Sequence, residues 1–201
     1  MRNYIHFWTA TLIRGALALL AGSAIVLVPD MSTTVLFLPF AIAITILCIA
    51  GYVILDSAIV FFTGFMVSSE RARIAIRLQG TAGTVAGALF LSIFYDRVRL
   101  EWFLYPVALQ AFCAACSEFV VARHVSLRHG SRWNYATAAI ALMGGIAYSI
   151  VAFIPRDTLL PGDTTTLIYG YLLAFGTAQC LIAVGMLYAD AHIQAGTHAH
   201  T

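Results

Sequence analysis

The chain contains no lysine; all eleven of its basic residues are arginine. A retinal protein or a pyridoxal enzyme joins its cofactor to a lysine amine as a Schiff base, so the composition excludes both. Charge of either sign is scarce. Asp, Glu, Lys and Arg together make up 10% of the 201 residues, against about a quarter in soluble domains. The net charge of +2 is too small, and its arginines too scattered among short polar stretches, to mark a nucleic-acid surface.

Catalytic signatures are equally sparse. The sequence has no G-x-x-x-x-G-K-[ST], H-E-x-x-H, G-x-S-x-G or G-x-G-x-x-G, so nothing cradles a phosphate or presents a nucleophile in the usual way. There are four cysteines, two of them spaced C-x-x-C at Cys113 and Cys116. Membrane enzymes that generate disulfides use such a pair at the edge of a helix, but they also need a second pair in an outer loop, where this chain has none. At membrane depth the reactive thiolate is disfavoured by desolvation, and Cys48, Cys113, Cys116 and Cys180 are read as small packing residues. The six histidines, His6, His124, His129, His192, His198 and His200, all fall near one set of helix ends or in the tail. None faces another inside a helix as a b-type haem requires. The residues call for no cofactor and no metal, and the expectation is that the protein is not an enzyme.

What the chain has instead is apolar length. Hydrophobic residues make up 61% of it, with a mean hydropathy of +0.90. About 20 apolar residues at 1.5 Å per residue cross the roughly 30 Å hydrocarbon layer. Six such stretches are placed at 9–28, 33–55, 78–95, 102–121, 133–154 and 166–188. They form a single transmembrane bundle over residues 1–190, followed by a polar tail, 191–201, expected to be disordered. Apolar character continues through 57–67, and the sequence predicts a break near Asp56–Ser57 with this segment lying along the membrane surface, the alternative being one long, tilted helix that projects from the membrane.

Small residues recur within the odd-numbered stretches. Gly15, Ala18 and Gly22 mark the first, Gly80, Gly83 and Gly87 the third, and Ala138, Ala141 and Gly145 the fifth. Such notches let helices approach closely where lipid gives no hydrophobic driving force between them. Their recurrence predicts an all-α membrane protein of six transmembrane helices, built as three two-helix repeats around an axis along the membrane normal. The odd helices are expected inside or at the closest contacts, and the even helices toward an outer ring.

Arginine counts give the orientation. Arg2, Arg14, Arg71, Arg73, Arg77, Arg123, Arg128 and Arg132 fall on one side, and Arg97, Arg99 and Arg156 on the other. This places both termini in the cytoplasm; the first helix is kept as a retained span rather than a cleaved signal because its small-residue register matches that of the internal helices.

Ionisable groups at membrane depth are candidate functional residues. Glu118 and Asp56 stand near the cytoplasmic helix ends, with Arg14, Arg77 and Arg123 as possible partners. Arg14 is close enough to the interface to snorkel. Interfacial ion pairing is one reading of this group, and a proton, ion or solute path through Glu118 and Asp56 is the other.

The segment Trp8…Arg14-Gly15…Gly22…Pro29-Asp30, an aromatic approach, an Arg-Gly opening, a small-residue helix and a Pro stop, resembles the HdeD family of small six-helix bacterial inner-membrane proteins. The later units depart from it, with Gln79 and Thr137 in the place of Arg14. The resemblance implies a stress-associated membrane protein linked to acid resistance, with no catalytic activity and no functional residues to transfer. The expected partners are the lipid bilayer and further copies or other membrane proteins. An accessory subunit of a larger complex is a third reading.

Overall fold

The computed structural model describes residues 2–27, 38–67, 69–95, 100–124, 131–153 and 161–198. They form six helices: α1 Arg2–Leu27, α2 Leu38–Thr63, α3 Glu70–Tyr95, α4 Leu100–His124, α5 Ser131–Phe153 and α6 Pro161–His198. There is no strand among the described residues. Each helix contains a stretch long and apolar enough to span a membrane, beginning at Trp8, Ile44, Glu70, Leu104, Asn134 and Thr166. The chain is a multi-pass, all-α membrane protein.

Two boundaries differ from the sequence expectation. α2 passes Asp56 and Ser57 without interruption and ends in a turn at Gly64–Met66, so 57–63 completes a span instead of lying on the surface. The reason is that Asp56 is turned inward and paired, as described below, and a satisfied carboxylate need not mark a helix end. At 26 residues the helix is about 39 Å long, which fits one crossing. At the other terminus, α6 continues to His198, so 191–198 is helical where a disordered tail was expected. Residues 28–37 and 154–160, which include the first residues of the expected second span, lie outside the described residues.

The helices are arranged as a closed ring. Each packs on its neighbours in sequence, and α6 returns to α1; the seams α4/α5, α1/α6 and α2/α3 are the more extensive. Odd and even helices bury similar shares of their spans. The inner-odd, outer-even expectation is therefore replaced by six equivalent staves. The notches nevertheless sit at the closest seams, and all nine small residues are buried. A β-carbon at Gly15 would lie 2.9 Å from the Gly176 carbonyl oxygen of α6, and one at Gly80 would lie 2.8 Å from Phe61 N of α2. Gly83 faces Ser57 of α2 and Gln110 of α4, Gly87 faces Ile54, and Gly145 lies against Phe112 of α4. The notched face of each odd helix thus meets an even helix from the neighbouring pair.

The core of this ring is apolar toward one end, where Ile25, Phe90, Tyr148, Leu172 and Phe175 are buried. Outward-facing positions such as Leu20, Leu78, Met143, Ile150 and Phe153 are large and exposed, as a lipid-facing surface requires. A smaller cluster, Val60, Val67, Ala72, Ile76 and Val121, packs beneath the α2–α3 link. There the Arg77 guanidinium lies 3.8 Å from the Phe65 ring centroid, a cation–π stack.

Candidate functional site

Arg14 does not snorkel. It is 9% exposed and projects into the ring, where its Nε donates to Asp56 Oδ1 at 2.8 Å and its Nη1 donates to Glu118 Oε1 at 3.0 Å. Three helices, α1, α2 and α4, meet in these two ion pairs. A fourth joins through Gln179 of α6, whose Nε2 donates to the same Glu118 oxygen at 2.9 Å. Measured along the helices from the ends of their spans, these groups lie roughly 8–14 Å inside the bundle. At that depth an unpaired charge is costly, and pairing toward the interior is how a membrane protein keeps one.

Further polar groups surround the cluster. Ser117 Oγ donates to Gln79 Oε1, joining α4 to α3. Asn134 and Thr137 of α5 are buried at 2% and 0%. Gln79 and Thr137 directly precede Gly80 and Ala138 just as Arg14 precedes Gly15, so the residue before each notch is turned inward in all three odd helices.

Two cavities flank the ion pairs. The first, of about 20 Å³, is lined by Thr11, Arg14, Thr63, Gln79, Ser117, Glu118, Asn134 and Gln179 together with apolar side chains. The second, of about 30 Å³, is lined by Tyr52, Asp56, Gln110, Tyr148, Tyr171 and Phe175 within a largely apolar wall. In the second, Tyr148 and Tyr171 meet edge to face at 5.5 Å, and Tyr171 stacks on Phe175 at 5.7 Å.

Of the five charged candidates, the structure brings three together. Arg14, Asp56 and Glu118 form the centre, whereas Arg77 stacks on Phe65 and Arg123 is exposed at the end of α4. Among the candidate partners Arg14, Arg77 and Arg123, the one that meets Glu118 is Arg14, 104 residues away, rather than Arg123, its neighbour in the chain. The tyrosines and Asn134 were not anticipated, since an inward tyrosine in an apolar helix reads like any other large side chain. All four cysteines are free: Cys180 lies on Gly15 at the α1/α6 seam, and Cys116 is exposed. No group of three or more His, Cys, Asp or Glu suited to a metal occurs among the described residues. The side chains of the six histidines lie outside the described residues.

Comparison of the chain with protein-family models, with curated proteins and with solved structures finds no match.

Proposed function

We propose that the chain is a non-enzymatic, HdeD-like protein of a bacterial inner membrane that serves in acid stress by packing with copies of itself or with other membrane proteins. One observation supports this reading above the others. Three of the charges found at membrane depth, Arg14, Asp56 and Glu118, are directed at one another across the centre of the ring, while the perimeter presents large apolar side chains. Charge here holds four helices together, and the outer surface is suited to lipid and to other helices. The successive notch contacts with α6, α2 and α4 support the three-unit plan, and the arginine distribution supports cytoplasmic termini.

The two cavities beside the ion pairs each admit one or two water molecules, a size suited to water or a proton rather than to an organic solute. Disruption of the gene in its host tests the stress role: survival of an acid challenge in dense culture is expected to fall and to return with the wild-type copy. Unchanged survival would dismiss it. Native mass spectrometry from mild detergent tests the packing role, with a discrete oligomer or a retained membrane partner as the expected result.

A further inference from the structure

The two carboxylates held by Arg14 open onto different cavities. Glu118 lines the cavity that contains Gln79 and Asn134, and Asp56 lines the one that contains Gln110 and Tyr148. Each space exceeds the roughly 10–15 Å³ that one water needs. Each is also bordered by buried polar atoms with no protein partner: Gln79 Nε2 and Asn134 Nδ2 on the first side, Gln110 Oε1 and the Tyr148 hydroxyl on the second. Gln79, Asn134 and Tyr148 are at least nine-tenths buried. Buried donors and acceptors of this kind are satisfied by internal water.

The charges do not balance. One guanidinium faces two carboxylates, which leaves one surplus negative charge at a depth where an uncompensated charge is expensive. The charged and titratable groups facing the pair are Arg14 from α1, Tyr52 from α2, Tyr148 from α5 and Tyr171 from α6. α3 contributes the neutral Gln79. Arg77 of α3, at similar depth, is turned onto the Phe61 and Phe65 rings, so no second cation faces the pair among the described residues, and a single proton on one of the two carboxyls restores neutrality.

The geometry points to a proton-transfer function: Asp56 and Glu118 share one proton, each carboxylate exchanging it with water in its own cavity, and Arg14 shifts its stronger pairing to whichever is ionised. A hydronium in the first cavity protonates Glu118 and leaves Arg14 with Asp56. Transfer of that proton to Asp56 returns Arg14 to Glu118, and Asp56 then releases it to water beside Tyr148 and Gln110. At each step one O–H bond forms as another breaks, and no electron pair leaves the system. This inference rests on the membrane-embedded reading but not on the stress role; an absent acid phenotype with intact proton movement would sink the latter alone.

The test is proton uptake into proteoliposomes loaded with a pH-sensitive dye and driven by a potassium diffusion potential. The wild-type protein is expected to exceed protein-free vesicles, with Asp56→Asn and Glu118→Gln each lowering the rate by about tenfold or more. Tyr148→Phe is expected to give a smaller loss, and Asp56→Glu and Glu118→Asp to keep measurable uptake. A wild-type rate equal to that of empty vesicles, or a rate indifferent to both carboxylates, overturns the proposal. Infrared spectra of the wild type alone provide a second measurement that needs no variant to fold. A protonated carboxyl band shifting in D₂O is expected, and its absence also overturns the shared proton.

Discussion

The two halves of the bundle interior solve the same problem with different chemistry. Around Arg14 the centre is filled by charges, amides and hydroxyls from all six helices, bound by directed pairs that cross the ring. Around Tyr148 it is filled by aromatic rings and aliphatic side chains, with polar side-chain atoms confined to three phenols, an amide and the far side of Asp56. In the first half Arg14, Asp56, Glu118 and Gln179 each depend on a particular partner on another helix. In the second, shape and contact area do most of the holding. Loss of a side chain should therefore be felt very differently in the two.

The largest expected effect is that of Arg14→Met. It strands two buried carboxylates and should cost about 3–5 kcal/mol, read as a lowered unfolding midpoint in detergent. Adding Asp56→Asn and Glu118→Gln to the same chain should recover most of the loss, since no unpaired charge then remains. A single variant as stable as wild type would show that the pairs do not hold the ring. Next is Gly83→Leu, at a seam where even a β-carbon meets Ser57 and Gln110; overpacking of this kind costs about 1–3 kcal/mol. Gln79→Leu removes the acceptor for Ser117 and should cost about 1 kcal/mol. Tyr148→Phe is expected to be the mildest, within about 0.5 kcal/mol, because the hydroxyl has no protein partner to lose. If Tyr148→Phe proved as damaging as Arg14→Met, the contrast between the halves would collapse. A ranking in the order given would sharpen it.

Sequence alone carried the number of crossings and the notch positions, because both follow from local regularities: apolar length and small-residue spacing. Gly80 and Gly15 could be named as contact points without knowing what they touch. Of the two places expected for the odd helices, inside or at the closest contacts, only the second is seen, because a small residue specifies close approach on one face and says nothing about whether the opposite face meets protein or lipid. Glu118 and Asp56 could be picked out as costly residues in a membrane, and Arg14 was among their candidate partners. That one arginine serves both could not be read, since the pairing spans 42 and 104 residues and depends on how the ring closes. The break expected at Asp56 was an error of the same kind, in which a charge was assigned to an interface before its partner was known.

The seam between α1 and α6 carries a consequence for biosynthesis. Membrane insertion proceeds from the amino terminus, yet the surface of Gly15 is completed only by Gly176 and Cys180, which leave the ribosome after the other five helices. Arg14 can meet Asp56 once the first hairpin has formed, waits two further crossings for Glu118, and gains Gln179's support for that carboxylate last. An open crescent of five helices must therefore persist in the membrane until the sixth arrives, and a chain interrupted before α6 would display its unfinished edge to whatever holds nascent proteins there.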